Sequence, residues 1–154
     1  DLFAPALTGF GIVASASFND SDITIPPPPN AQSSVGSEEI MLPGLSKRVY
    51  NLTAYYERNG FEARISQRKR SDFVGEIGNF DGDRTLRYVV GEDITDVQVS
   101  YAFGDHTGLG GLSVLLQASN ITDESYRTYA GTRDRPLEHI EWGRTWLLGL
   151  NYRF

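Results

Sequence analysis

The sequence lacks features that would place it in three common classes of protein. It contains no cysteine, which excludes disulfide bonds and thiolate metal sites. It has no run of about 18 apolar residues, which excludes a transmembrane helix. Its net charge of −6 and its pI near 4.8 leave no basic stripe to neutralise phosphates, which argues against nucleic-acid binding.

The sequence also shows neither an initiator methionine nor a signal peptide, and we expect it to be a segment of a longer protein. Its 154 residues correspond to the length of one domain. What the chain has in quantity is glycine (16 residues) and aromatic side chains (8 Phe, 8 Tyr and 2 Trp). This composition, with few helical stretches, favours β structure.

The last segment, EWGRTWLLGLNYRF, alternates between two kinds of side chain. A strand sends successive side chains to opposite faces, so one face of this segment is predicted to be apolar and the other small or polar. The predicted apolar set is Trp142, Arg144, Trp146, Leu148, Leu150, Tyr152 and Phe154. Such a face has to be covered, either by a protein core or by lipid.

The order of residues along this face favours lipid. Outer-membrane barrels carry an apolar band roughly 25 Å tall between two aromatic girdles. At about 3.3 Å per residue and about 40° of tilt, Trp146 and Tyr152 lie about 15 Å apart along the membrane normal, and Trp142 and Phe154 about 30 Å. We therefore predict that these four aromatic residues form lipid-facing girdles.

Five further segments show the same alternation. They are FGIVASASFND, VYNLTAYYE, FEARISQRKR, DVQVSYAF and LSVLLQAS. Short connections (RNG and GDHTG) alternate with connections of about fifteen to twenty residues, which are predicted to be loops. Short turns at one end and long loops at the other are typical of outer-membrane barrels. The sequence therefore predicts an all-β fold with six antiparallel, up-and-down transmembrane strands.

Six strands are too few to close a membrane barrel in a single chain, because the smallest such barrels have eight. An open sheet in lipid leaves backbone groups unpaired at several kcal/mol each. We therefore expect residues 1–154 to be the C-terminal portion of a larger barrel domain. Several copies sharing one barrel are the less favoured explanation.

Three stretches resemble TonB-dependent outer-membrane receptors. LPGLSKRVYNLTAYYERNGFEARISQRKRSDF resembles a late-barrel segment of that family, and VLLQASNITDESYRTYAG resembles its penultimate strand. The ending GLNYRF resembles the family's final strand with its C-terminal phenylalanine. LTGFGIVASASFNDSD matches an entry strand of the family more loosely.

The resemblance implies about the last six strands of a 22-stranded barrel in the bacterial outer membrane. It implies energised uptake of a scarce nutrient such as an iron chelate, cobalamin or a carbohydrate. The plug domain and the TonB box are absent from this sequence, so contact with the TonB complex would come through a missing N-terminal region. The resemblance also implies that Leu148, Leu150, Tyr152 and Phe154 form a signal for the outer-membrane assembly machinery.

Two groups of polar residues are candidate sites. Four lie on the predicted polar faces of strands and would face the barrel lumen: Glu57, Glu62, Arg64 and Arg68. Four others, in the last long loop, are predicted to contact an unknown small-molecule ligand: Arg127, Tyr129, Arg133 and Arg135. The structural alternatives are a salt-bridge ladder for the first group and loop packing for the second.

No nucleophile, base and orienting residue form a recognisable set, so we predict neither an enzyme nor a cofactor or metal site. Two other functions remain open. One is a soluble β-sandwich that binds a ligand, in which Leu148 and Leu150 would lie in a core. The other is a small outer-membrane barrel, such as an adhesin, that does not transport.

Overall fold

A computed structural model describes residues 8–24, 39–80, 83–104 and 108–153, and within these ranges the fold is all-β and antiparallel. The strands there are β1 Phe10–Phe18, β2 Ile23–Thr24, β3 Glu39–Ile40, β4 Arg48–Arg58, β5 Phe61–Arg70, β6 Phe73–Phe80, β7 Asp83–Val89, β8 Asp93–Ala102, β9 Leu112–Ser119, β10 Tyr126–Ala130, β11 Pro136–Ile140 and β12 Thr145–Tyr152. Among these described residues, no helical segment has the length and hydrophobicity that a membrane crossing requires.

Six strands form one sheet in the order β1-β4-β5-β8-β9-β12. Every pair of neighbours is antiparallel, and the order in space follows the order in the chain, so the sheet is an up-and-down meander. These are the six strands that the alternation predicts, and their order is confirmed. In the described part of the chain, β1 and β12 each pair with one neighbour and form two open edges.

The connections alternate in length, as predicted. β4 and β5 are joined by Asn59 and Gly60, whose φ angles of 50° and 80° are those of a two-residue type I′ hairpin. We call the end of the six-stranded sheet that carries this turn the turn end. The opposite end, which we call the loop end, carries the long connections 19–47, 71–92 and 120–144.

The register places the apolar sides of all six strands on one face. One row of register partners runs across the whole sheet: Ile12, Ala54, Ile65, Val97, Ala118 and Trp146. We call this the apolar face and the opposite one the polar face. The apolar sides predicted separately for each strand therefore combine into a single surface.

Two of the long connections are not the loops that the sequence predicts. β6 and β7 form a hairpin within 71–92, β10 and β11 form one within 120–144, and β7 pairs with β10. The result is a second, four-stranded sheet in the order β11-β10-β7-β6, which we call the loop-end sheet. Arg127 and Tyr129 therefore lie in a strand rather than a loop.

The last strand begins at Thr145, three residues later than the alternation predicts. Gly143 adopts a φ of 74°, which interrupts the extended backbone that strict alternation requires. Trp142 and Arg144 therefore lie outside the strand, and the predicted spacing of Trp142 along it is wrong. Phe154, predicted as a girdle and signal residue, lies outside the described residues.

The described residues bury very little apolar side chain. The buried hydrophobic residues are Val74, Val89, Ala118 and Tyr129, of which only Ala118 belongs to the six-stranded sheet. All close approaches between described strands join hydrogen-bonded neighbours of one sheet. Apolar-face residues such as Ile12, Leu148 and Leu150 are exposed, so no described strand covers them.

Candidate functional site

The centre of the apolar face is aliphatic and exposed. Ile12 is 61% exposed, Leu148 69% and Leu150 71%, values usual for charged surface residues rather than for leucine or isoleucine in a sheet. An exposed apolar surface that extends over six strands is larger than the scattered apolar residues of an ordinary soluble surface. This surface requires a cover that the described strands do not provide.

Aromatic side chains border this aliphatic centre at both ends. At the turn end they are Phe10, Tyr56, Phe61, Tyr101, Phe103 and Tyr152, with ring centroids 6.2 Å apart for Tyr56 and Phe61 and 4.8 Å for Tyr101 and Phe103. At the loop end they include Phe18 and Tyr50, whose rings meet edge to face at 5.9 Å, and Trp146. We call the aliphatic centre with its two aromatic borders the apolar band.

The apolar band crosses the strands obliquely. On β1 it runs from Phe10 to Phe18, and its centre lies two residues toward the loop end from Ile12. On β12 it runs from Trp146 to Tyr152, and its centre lies three residues toward the turn end from Trp146, the register partner of Ile12 across the sheet.

The band thus shifts by five residues over the sheet. Five residues at about 3.3 Å make about 16 Å, and five strand spacings at about 4.8 Å make about 24 Å, which together correspond to a strand tilt of about 35°. The same shift explains why Lys69 and Asp93, on the middle strands, lie beyond the loop end of the band although they belong to the apolar face.

The four predicted lumen residues lie together on the polar face. Glu57 is the register partner of Glu62, and Arg68 is the partner of Asn51. Arg64 Nη2 lies 3.8 Å from Glu62 Oε1, which forms one exposed ion pair. The structure therefore brings these four residues to one face, and their contact with a lumen stays a prediction.

Three of the four predicted ligand residues line a cleft of about 330 Å³ in the loop-end sheet. Arg127, Tyr129 and Arg133 share it with Glu138 and His139. Arg127 Nη2 lies 3.7 Å from Glu124 Oε1, and Tyr129 is only 9% exposed. Their contact with a ligand stays a prediction.

The fourth predicted ligand residue, Arg135, is not among the residues that line this cleft. Its backbone closes the turn between β10 and β11 instead: its carbonyl accepts from Ala130 and its N–H donates to Thr132.

Asp72, which the sequence did not single out, holds two of these residues in place. Its carboxylate accepts a hydrogen bond from the Tyr129 hydroxyl at 3.0 Å and from Arg133 Nε at 3.1 Å and Nη2 at 2.7 Å. It also accepts the backbone N–H of Gly91 at 2.8 Å. The Tyr129 ring stacks on Tyr88, with centroids 5.1 Å apart.

These contacts change the pKa values of Asp72 and Tyr129. Burial opposes the charge on Asp72, but the Gly91 N–H, the Arg133 guanidinium and the Tyr129 hydroxyl favour it, and the net effect lowers the pKa of Asp72 below its ordinary value. Burial and the hydrogen bond to Asp72 raise the pKa of Tyr129, so its hydroxyl remains a donor. Asp72 is thus a charged link between two hairpins.

Asn120 organises the bend between β9 and β10, inside the NITDESY stretch of the resemblance. Its φ of 55° lies in the left-handed region. Its Nδ2 donates to the carbonyls of Glu124 (3.0 Å) and Gly143 (3.2 Å), and its Oδ1 accepts the Glu124 N–H at 2.8 Å. The asparagine therefore ties the start of β10 to the segment that leads into β12.

The described residues contain no group of three or more His, Cys, Asp or Glu side chains that could hold a metal ion. Comparisons with protein-family models, with curated proteins and with solved structures each find no match to this chain.

Proposed function

We propose that this chain forms part of the wall of a transmembrane β-barrel in the bacterial outer membrane, of the TonB-dependent receptor type. In this proposal the apolar face contacts lipid, the polar face borders the lumen, and the loop-end sheet lies outside the cell. The whole receptor, of about 22 strands, takes up a scarce nutrient such as an iron chelate, cobalamin or a carbohydrate. Its partners are outer-membrane lipid, the assembly machinery, the TonB complex and a small-molecule ligand.

The oblique course of the apolar band carries the membrane assignment. Strands of outer-membrane barrels tilt by about 35–45°, whereas the lipid boundary is flat. Lipid-facing residues must therefore shift along the strands from one neighbour to the next. The five-residue shift of the band across these six strands corresponds to a tilt of about 35°, which agrees with that requirement.

The open edges and the lack of a cover give further support. A soluble sandwich needs a second sheet about 10 Å above the first, which would bury the apolar face, whereas Ile12, Leu148 and Leu150 are exposed. In lipid, β1 and β12 would need partner strands, because each unpaired backbone group costs several kcal/mol. A larger barrel supplies both the partners and the lipid cover.

The receptor class rests on the sequence resemblance, and the loop-end sheet is compatible with it. This sheet extends two adjacent hairpins of the wall beyond the apolar band, and its cleft is lined in part by the charged residues Arg127, Arg133 and Glu138. A receptor requires such a surface, since its ligand arrives from outside.

Detergent dependence tests the membrane assignment. We expect the full-length barrel that contains this chain to aggregate in plain buffer and to be folded and monodisperse in detergent micelles, as measured by sedimentation velocity and circular dichroism. A monodisperse protein that melts cooperatively in plain buffer contradicts the membrane assignment and favours the soluble sandwich.

A pair of neighbouring leucines provides a sharper test. Leu148 lies on the apolar face and Leu147 on the polar face, and they are 69% and 52% exposed. We expect Leu148→Arg and Leu150→Arg each to destabilise the folded state in vesicles by about 2–4 kcal/mol. The reason is that each substitution places an arginine near the bilayer midplane. Leu147→Arg is the control and should have little effect. Equal effects of Leu148→Arg and Leu147→Arg would contradict lipid contact.

The coding sequence that precedes this segment separates the receptor from a small, non-transporting barrel. The receptor proposal requires a plug domain there. Its absence would contradict the receptor class and leave the membrane assignment intact.

A further inference from the structure

A groove of about 470 Å³ opens in the apolar face near the loop end, across β1, β4 and β5. Its lining on this face consists of two rows of register partners, Ala14–Leu52–Gln67 and Ala16–Tyr50–Lys69. The two alanines leave a depression beside the larger Tyr50 and Leu52 side chains. The groove therefore follows from the sequence, because small residues on β1 lie opposite large residues on β4.

The loop end of this groove is charged. Lys69 is 63% exposed, and its Nζ lies 3.1 Å from Asp93 Oδ2. Asp93 also accepts a hydrogen bond from Gln67 Nε2 at 2.7 Å, which fixes the carboxylate beside the lysine. Arg48, an exposed residue, follows next on the same face of β4, one row beyond Tyr50. Two cations and one carboxylate leave a surplus positive charge at this end.

The groove crosses the loop-end border of the apolar band, with its charged end on β5 and its two alanines on β1. Because the strands tilt by about 35° relative to the normal of the band, a line drawn along that normal from Lys69 on β5 moves about two residues toward the turn end per strand. It crosses β4 near Leu52 and reaches β1 near Ile12, beside Ala14. The charged end lies at the border of the band, and the apolar part extends toward its centre. A lipid in a bilayer has the same orientation, with its headgroup at the border and its chain along the normal.

We infer that this groove binds one membrane lipid with a phosphate headgroup. The acyl chain lies beside Ala14, Ala16 and Leu52, and the phosphate contacts Lys69 and Arg48. Charge complementarity selects an anionic group, because cations near a membrane surface attract anionic lipids by about 1 kcal/mol each. The inference rests on the proposed membrane location and adds a specific lipid to it.

Native mass spectrometry of the protein in micelles of an uncharged detergent tests the site. We expect saturable binding of one phosphatidylglycerol, and weaker binding of a diacylglycerol with the same chains. Free glycerol phosphate, which lacks the chains, should not bind. Lys69→Gln should weaken phosphatidylglycerol binding about fivefold, and Lys69→Gln with Arg48→Gln about 25-fold, the factors that correspond to about 1 kcal/mol per cation.

Two further variants keep the test independent of folding. Arg153→Gln removes an exposed positive charge at the turn end and should leave binding unchanged. Ala16→Leu fills the groove while keeping both cations, and should also weaken binding. Unchanged binding in the Lys69, Arg48 and Ala16 variants would overturn the lipid site alone. A protein that is folded in plain buffer and binds no lipid would instead overturn the proposed function together with the site.

Discussion

Arg133 and Asp72 lie 61 residues apart in the sequence, and Arg133 Nη2 lies 2.8 Å and 2.7 Å from the two carboxylate oxygens of Asp72. Asp72 precedes β6, and Arg133 belongs to the turn between β10 and β11. The pair therefore joins two long connections, which the pairing of β7 with β10, the Tyr129–Asp72 hydrogen bond and the stacking of Tyr88 on Tyr129 also join. The Asp72–Arg133 contact adds a side-chain link to the backbone pairing that makes the loop-end sheet one unit.

Asp72→Asn should loosen that unit without unfolding the wall. The substitution removes the charge that three donors stabilise, and a charge-assisted hydrogen bond contributes about 1.5–3 kcal/mol. We expect amide hydrogen exchange in 126–133 to accelerate roughly tenfold in detergent micelles. Exchange in 112–119, within the six-stranded sheet, should not change.

Glu141→Gln is the matched control, because it neutralises a carboxylate that is 78% exposed and lies in the connection 120–144, which contains the monitored residues. It should leave exchange in 126–133 unchanged. If Asp72→Asn also leaves it unchanged, Asp72 does not link the two hairpins.

Acid should have the same effect as Asp72→Asn. The pKa of Asp72 is lower in the folded protein than its ordinary value of about 3.9, so the folded state favours the ionised carboxylate. Its contribution to stability is complete above about pH 4 and is lost as the pH falls through the lowered pKa.

Hydrogen exchange at pH 5 and pH 3, corrected for the intrinsic rates, measures this loss. We expect residues 126–133 to lose protection at pH 3 in the wild-type protein and much less in Asp72→Asn. The comparison of wild type with Asp72→Asn removes the acid response of the other carboxylates, because both proteins contain them. One of these is Asp134, whose pKa is also lowered, by a hydrogen bond with Thr132. The same acid response in both proteins would contradict the assignment to Asp72.

Asn120 allows strain and hydrogen bonding to be separated. Asn120→Ala loses three side-chain hydrogen bonds and places alanine at a φ of 55°, whereas Asn120→Gly loses the same bonds without that strain. We expect both to lower the free energy of unfolding in micelles, and alanine by about 1 kcal/mol more than glycine. Denaturant titration followed by tryptophan fluorescence measures both values; wild-type stability in Asn120→Ala would contradict this role.

The six wall strands could be predicted because each is long and alternates without interruption. The alternation predicts an apolar side for each strand separately. Because the strands then pair as neighbours in this register, all these apolar sides lie on one face. The turn at Asn59 and Gly60 also has a local signal, since both residues tolerate positive φ.

The loop-end strands could not be predicted in the same way. A bulge between Val74 and Glu76, and another between Thr128 and Tyr129, shift the side chains from one face to the other and hide the period of two. The hydrogen-bond partners of Asp72 lie 19, 57 and 61 residues away in the sequence, so no local motif predicts its role. The residue types alternate through Gly143 but the extended backbone does not, so the sequence places Trp142 in the last strand whereas the structure does not.

In the proposed barrel, lipid covers the apolar face, and the fluorescence of Trp146 reports on this contact most directly. The difference in fluorescence between the wild-type barrel and its Trp146→Phe variant isolates the signal of Trp146, which is 64% exposed, from that of Trp142 and of tryptophans elsewhere in the barrel. In vesicles of brominated lipids we predict strong quenching of its fluorescence by bromines near the headgroups and weak quenching by aqueous iodide. Full quenching by iodide with no effect of the brominated lipids would contradict the claim.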